Sequence, residues 1–427
     1  MNPEYSIFRL PARKYRLYFL LLCGTGLYFF ANLQRVAIPG TVFNLLQEHL
    51  HAGAPYITAL GASFMYVYAL AQLLVGLFLD RYGGIRTMLV GAFLFCLGSV
   101  LFPLFRSLPV LYLIRALTGL GASTIYLSIV MEICRVFPRN YSLMISIFLM
   151  TGYFGGIAAG APLTGCIGIF GFAQSLLLAG VVTFVFYLGF ASSAATLKLP
   201  PVRGNQPIRL GNFGRIVRIR HNLILCVFNG LGFSVYYVLQ TVIGKKFLED
   251  FCGVGPGRAA VMLSVLGGLC AASGFLFALL SKVTGNRRKL PCLVNGIVTI
   301  SVLACIILAL VFDLRWQWAL FLLICLLAAT STLGPIVVAV IHETNEESVT
   351  GIMVAFSNST AYIILAILGN AVGFLLRVFP PEKQNGIEYY TRESYLVMFG
   401  FLGVLSVISL ISALMLKETH GRATKVS

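Results

Sequence analysis

Arg35 and Arg115 each sit inside a long apolar run. An ionisable side chain in such a run is costly and marks a functional site by default. Arg35 comes 18 residues after Leu17, which at about 1.5 Å per residue places it roughly 27 Å along a helix, somewhat to the outer side of its centre. Tyr28, Asn32, Arg35 and Pro39 recur at spacings of 4, 3 and 4, so they share one helical face. A stripe carrying Asn and Arg does not suit lipid, so this face should line a cavity. Arg115 shares a face with Gly119, Ala122 and Tyr126. No acid lies deep in any run, since Asp80, Glu132 and Asp313 stand at run ends. Two buried cations without a buried anion call for an anionic substrate, because guanidinium pairs bidentately with carboxylate or phosphate. The alternative is that both arginines bond backbone carbonyls and water as structural groups. Arg115, only five residues in from Val110, could also snorkel to the outer surface.

Neutral partners are present too. Asn229, Phe233, Tyr236 and Gln240 lie on one face of a later run, with Tyr237 adjacent, and Asn358 and Tyr362 lie further on. Aromatic and amide groups suit hydrogen bonding to hydroxyls or a carboxylate. Each taken singly is equally readable as interhelical glue.

The elements that position these residues are apolar helices. The chain has 427 residues, 59% hydrophobic and only 11% charged, with mean hydropathy +0.91. A soluble domain carries about a quarter charged residues, so soluble, disordered and coiled-coil classes are excluded. Spans of roughly 20 apolar residues are needed to cross a bilayer. Twelve such runs occur, among them Leu17 to Asn44, Leu143 to Phe170, Leu223 to Gly244, Trp318 to Ile341 and Tyr395 to Leu416. The first is too long and too polar at Asn32 and Arg35 for a cleavable signal, and is read as the first span. The 31 Lys and Arg against 14 Asp and Glu give a net charge of +17. With an inside N-terminus, 21 of the 31 fall in inside segments, eight outside and two within spans. Both termini are therefore expected in the cytoplasm, and the lack of glycosylated-looking outer loops points to a bacterial inner membrane. Residues 196–222 contain Pro200, Pro201 and Pro207 and then a basic amphipathic stretch. They divide the chain into bundles 1–195 and 223–427, six runs each.

Enzyme chemistry finds no support. The five histidines lie at loops or ends, there is no GxSxG or HExxH, and the ten cysteines form no CxxC or Cys/His cluster. No cofactor, metal or nucleic-acid partner is expected. The expected partners are a small-molecule substrate and the lipid bilayer, with a coupling ion left open, and the chain is expected to act as a monomer.

The loop after the second run reads Gly76-x-x-x-Asp80-Arg81-x-Gly83-x-x-Arg86, and a degenerate copy, Ala278-x-x-x-Lys282-x-x-Gly285-x-x-Arg288, follows at an offset of 202 residues. Such internal halves mark secondary transporters. This loop resembles the signature loop of the major facilitator superfamily. Arg115-x-x-x-Gly119 and Gly156-x-x-x-Gly160-Ala-Pro162-x-x-Gly165 resemble two further motifs of that family. The resemblance implies an all-α integral membrane fold, twelve transmembrane helices in two pseudo-symmetric six-helix bundles, rocking to give alternating access. It also implies a conformational latch at Gly76, Asp80, Arg81, Gly83, Arg86 and Glu132. Asp80 would accept orphan amides near Gly351, and Arg81 and Arg86 would pair with Glu132, or with Glu346 and Glu347. Gly156, Gly160 and Pro162 would form a helix-packing gate. The alternatives are charges that only fix topology and glycines that only pack.

Asn32-Leu-Gln34-Arg35-Val-Ala-Ile-Pro39 resembles the first span of the anion:cation symporter branch, which carries organic anions. That branch usually has an acid where this chain has Gln34, and often another where it has Ala122. Without those coupling acids, facilitated diffusion or exchange is expected rather than proton symport. The 202-residue offset relates Arg35 to Tyr237. Arg35 would hold the substrate, helped by Tyr28, Asn32, Arg115, Tyr236, Tyr237, Gln240 and Asn358. Amino acids and small metabolites such as nucleosides or siderophore-like chelates are alternative substrates, and a non-transporting receptor or scaffold on the same fold is a distant one.

Overall fold

The computed structural model describes residues 11–137, 141–197, 211–384 and 386–422. Spans 1 to 4 are Pro11–Val36, Ala54–Tyr82, Gly84–Leu101 and Leu108–Val136. Span 5 is broken into Tyr141–Ala158 and Ala161–Phe170, and span 6 is Phe172–Thr196. Spans 7 to 9 are Arg220–Val238, Pro256–Val283 and Lys289–Val311. Span 10 is interrupted between Gln317–Ala329 and Gly334–Thr344, and spans 11 and 12 are Glu347–Leu375 and Arg392–Met415. Among the described residues, eleven helices are long and apolar enough to cross a membrane, and the bent pair of span 5 supplies the twelfth. The fold is thus all-α, with two six-helix bundles.

Local sequence explains the boundaries. Pro55, Pro109 and Pro256 sit in the first turns of spans 2, 4 and 8, where the missing N–H has no partner to lose. Gly83, at φ +81°, makes the sharp turn from span 2 to span 3 that a side chain would strain. The helix in the linker is present as Gly211–Arg218, with Ile216 buried. Pro200, Pro201 and Pro207 lie outside the described residues. Small residues let the helices touch backbone to backbone. A side chain on Gly119 would run into the Phe64 backbone of span 2, and one on Gly155 into the Phe29 backbone of span 1.

Spans 1 and 7 do not end where hydrophobicity suggests. Each passes through a wide π turn, Ala37–Thr41 and Leu239–Ile243, then a short helix, Phe43–Leu50 and Gly244–Asp250. The two turns lie at the same 202-residue offset as the repeated loop and pack on each other, with Gly40 against the Thr241 carbonyl. They close one face of the molecule, called here the far face. The opposite, terminal face is the one where span 1 starts and span 12 ends.

This closure corrects one sequence expectation. Lys245 and Lys246, which directly follow the apolar run Leu223 to Gly244 and so count among the eight charges expected outside, are buried in the extension of span 7. Lys246 Nζ lies 2.9 Å from Asp250 Oδ1, both side chains at 0% exposure. Asp250 also accepts the Tyr390 backbone N–H (3.1 Å) and the Tyr395 hydroxyl (3.0 Å). Across the halves, Lys245 Nζ donates to the Thr41 carbonyl (2.7 Å) and Asn44 Nδ2 to Glu249 Oε2 (2.7 Å). A hairpin of β1 (Glu382–Gln384) and β2 (Ile387–Tyr389) crosses this face. Just after it, the Tyr390 hydroxyl accepts from Gln47 Nε2 (2.9 Å) and the Ala54 N–H (3.1 Å), and donates to Glu388 Oε2 (2.9 Å).

On the terminal face, Arg288 makes a forked contact with Glu343 (2.8 Å), and Thr419 donates to the same carboxylate. Glu418 accepts the N–H groups of Arg288 and Lys289. Burial works against ionising Glu418, yet these backbone donors hold its carboxyl below the ordinary range. The segment after span 12 is thereby tied to the start of span 9.

Breaking a buried ion pair from one side leaves an uncompensated charge, which costs about 3–5 kcal/mol, whereas an apolar pair of similar volume is close to neutral. Asp250→Ala should lower the melting temperature of the purified protein strongly, and Lys246→Met combined with Asp250→Leu should recover most of the loss in the same thermal-unfolding measurement.

Candidate functional site

A cavity of about 470 Å³ lies between the two halves. It runs from Arg35 towards the terminal face, where Val337, Ile341, Gly351 and Val354 line it. The layer of buried contacts described above closes the other end.

Arg35 is 5% exposed and lines this cavity. Its Nη1 donates to the Tyr362 hydroxyl (2.9 Å) and to Asn32 Oδ1 (3.4 Å). Asn32 is oriented by its own donation to the Tyr28 carbonyl (2.9 Å). The guanidinium carbon lies 4.7 Å from the Tyr68 ring centre and 5.1 Å from that of Tyr362, where ring quadrupoles attract a cation. Arg35 Nε has no hydrogen-bond partner. Among the described residues, no carboxylate lies within ion-pair reach of Arg35, and it is the one charged residue in the cavity lining.

The sequence-derived candidates divide. Tyr28, Asn32, Arg35, Tyr237 and Asn358 line the cavity, as do Asn229, Phe233 and Tyr362. Arg115, Tyr236 and Gln240 do not. Arg115, at 1% exposure, donates Nε to the Leu60 carbonyl (3.2 Å) and Nη2 to the Ile38 carbonyl (3.2 Å), and lies over the Phe64 ring at 4.7 Å. The Ile38 carbonyl is available because Ile38 leaves helical geometry at the π turn. Arg115 is thus the backbone-bonded structural group, and it does not snorkel. Tyr236 is fully buried and donates to the Leu266 carbonyl (2.9 Å), joining spans 7 and 8. Gln240 is buried in the π turn of span 7.

Sequence reasoning missed Tyr68 and Gln72. Gln72 Nε2 donates to the Tyr68 hydroxyl (3.0 Å), and Asn358 Nδ2 donates to Gln72 Oε1 (2.7 Å). Both belong to span 2, one turn apart, and polar groups at that spacing in an apolar run were the available signal. It also missed the break in span 10, where Ser331 and Thr332 reach the cavity. Three hydroxyl residues followed by Gly334-Pro335 were the signal there.

The latch residues are placed as follows. Gly83 makes its turn, Gly76 has open space where a side chain would stand, and the Asp80 and Glu347 side chains lie outside the described residues. Glu132 accepts the Ile85 N–H at the start of span 3 and lies 3.8 Å from Arg135, so its partners are not Arg81 or Arg86. Arg81 lies over the Tyr82 ring at 5.3 Å. The pairing expected of Arg86 is made in the second copy, by Arg288 with Glu343.

At the gate, span 5 bends by 47° ahead of Pro162, whose ring cannot continue the first helix. Gly160 packs on Ala260 and Ser264 of span 8. The Ser264 hydroxyl donates to the Ile157 carbonyl (2.9 Å) and accepts from the Ala161 N–H (2.8 Å), bridging the break. Gly156 makes only ordinary contact with Val36, and the close approach to span 1 falls at Gly152 and Gly155 instead.

No curated protein sequence is significantly similar to this chain. Solved structures are similar in fold. The nucleoside transporter NupG superposes with a TM-score of 0.72 at 14% identity, over 92% of this chain and 99% of that one. An auto-inhibited peptide transporter of the POT family gives 0.68 at 14% identity, over 94% and 97%. The sequence profile of one family matches residues 21–370, which takes in the repeated loop, the broken fifth span and the Arg35 cavity, and the chain therefore belongs to the Major Facilitator Superfamily.

Proposed function

We propose that this transporter carries a small organic anion, held by Arg35, by alternating access between its two halves. One observation carries the reading: a buried guanidinium lines a cavity of about 470 Å³ with no carboxylate beside it. A carboxylate from the substrate would supply the missing charge and take the unpartnered Nε in a forked contact. An amino acid would use the same arginine, but its ammonium group has no acid in the lining to meet, which favours a simple anion.

The moving bodies are residues 1–195 and 223–427, joined by 196–222. Loop charge sets the terminal face in the cytoplasm, most simply of a bacterial inner membrane, so this state opens inward. Rocking must break the contacts that cross the far face, among them Lys245 to Thr41, Asn44 to Glu249, Tyr390 to Gln47 and Ala54, and Ser264 to Ile157 and Ala161. The gate at Gly160 and Pro162 supplies the sliding surface. No lining acid is available to carry a coupling proton, so exchange or facilitated movement by a monomer fits best.

A thermal-shift screen of purified protein tests the anion. A ligand that binds only the native state at 100 times its Kd adds about 2.7 kcal/mol of stability. Benzoate, gluconate, citrate, amino acids and sugar phosphates should be compared on wild type and Arg35→Gln. An organic anion should raise the wild-type melting temperature and leave the variant unmoved; equal responses, or stabilisation by neutral compounds alone, would overturn the reading.

Gln47 is fully buried on the far face, so a cysteine placed there reports on opening. With native cysteines replaced, Gln47→Cys in whole cells should react slowly with an impermeant maleimide, and Glu249→Ala should speed labelling severalfold. Absence of labelling in both would count against alternating access.

A further inference from the structure

Resting on the anion reading, we propose that the substrate is a monovalent carboxylate on a flat aromatic body, recognised by the rings that line the cavity around Arg35. The first observation is the continuity of those rings. Tyr68 and Tyr362 meet edge to face with centres 4.8 Å apart. Tyr362 meets Phe233 in the same way at 5.5 Å, and Phe233 stacks on Tyr237 at 4.1 Å. This ribbon starts on span 2 in the first half and ends on span 7 in the second, with Arg35 over its first two rings. About two turns before Arg35 on span 1, Tyr28 stands 5.9 Å from Tyr126, both in the lining, and Phe148 stacks behind Tyr28 at 4.3 Å. Tyr28 can lie there only because Gly152 has no side chain.

The second observation is charge. Arg35 alone is charged in the lining, so a second carboxylate or a phosphate dianion would enter with a charge left unpaired, which is costly in a buried site. The third is the state of the neutral polar groups. Asn358 is bonded to Gln72, Asn229 to Ser357 (3.1 Å), and Asn32 to Arg35 and the Tyr28 carbonyl. Each of these wall amides already spends its nitrogen on a protein partner, so it has less to offer the hydroxyls of a polyhydroxylated acid. A flat apolar ring needs none, and it gains from offset-stacked and edge-to-face contacts beyond the area it buries.

The test compares benzoate with cyclohexanecarboxylate and benzamide, matched in size and each differing from it in one property, and with two larger acids, by thermal shift titration of the full-length purified protein. Benzoate and indole-3-acetate carry the ring and the charge, cyclohexanecarboxylate has the charge without the flat ring, benzamide has the ring without the charge, and gluconate has hydroxyls. Benzoate should bind about 3- to 10-fold more tightly than cyclohexanecarboxylate. Phe233→Leu and Tyr237→Leu, singly so that at least one folds, should reduce that ratio towards one while cyclohexanecarboxylate still binds. Arg35→Gln should lose every acid. Equal binding of benzoate and cyclohexanecarboxylate, stabilisation by gluconate alone, or no response to either aromatic acid would overturn the aromatic class. Benzamide binding as well as benzoate would instead overturn the anion reading beneath it.

Discussion

A guanidinium buried in a membrane protein without a carboxylate has to be held by something else, and the first bundle is organised around two such groups. Arg115 is held by main-chain carbonyls, one of which is freed by the π turn in span 1. Arg35 lies just before that turn, where the helix is intact and its carbonyls are in use. It falls to ring faces, one hydroxyl and one amide oxygen. The same residue type therefore has its Nε taken by a main-chain carbonyl in one place and left without a partner in the other. That difference distinguishes the two arginines more firmly than burial does, since both are almost fully buried.

The far face solves the opposite problem. Its buried lysines are paired, Lys245 with Glu249 and Lys246 with Asp250, and most of the pairing is internal to the second half, with Tyr390 and Tyr395 adding to Asp250. Among the described residues, the hydrogen bonds that reach across to the first half there include Lys245 to Thr41, Asn44 to Glu249, Tyr390 to Gln47 and Ala54, and Ser264 to Ile157 and Ala161. Those to a charged group are worth about 1.5–3 kcal/mol net and the neutral ones about 0.5–1.5. The charge pairing is thus kept within one body, and what joins the bodies is a set of separate hydrogen bonds that can part without either half unfolding.

Much of this was legible in the sequence, and the failures have physical causes. Twelve spans follow from apolar length, and Arg35 follows from a charge where lipid cannot tolerate one. Burial of Arg115 followed from the same rule, but its role did not, because spacing along one helix says nothing about carbonyls on two others. Lys245 and Lys246 looked like loop charges because hydrophobicity ends before them. The run Lys245-Lys246-x-x-Glu249-Asp250 places two opposite pairs at i,i+4, a pattern that continues a helix and could have shown that span 7 did not stop there. In this state the amide of Ile85, at a helix start, takes the Glu132 carboxylate that the loop motif's basic groups were expected to pair with, and a pattern along the chain does not say which partner a given state selects.

The missing acids bear on coupling as well as on binding. In a cavity whose one charge is Arg35, the empty site carries an unbalanced cation and the site loaded with a monovalent anion is neutral. Passage through an occluded state removes water from the cavity, and the cost of an unbalanced charge rises as water leaves. The loaded protein, on the anion reading, would therefore cross that state more easily than the empty one, with no proton needed to tip the balance. On the anion reading, the lack of a coupling carboxylate near Arg35 and a preference for exchange are two consequences of one arrangement of charge.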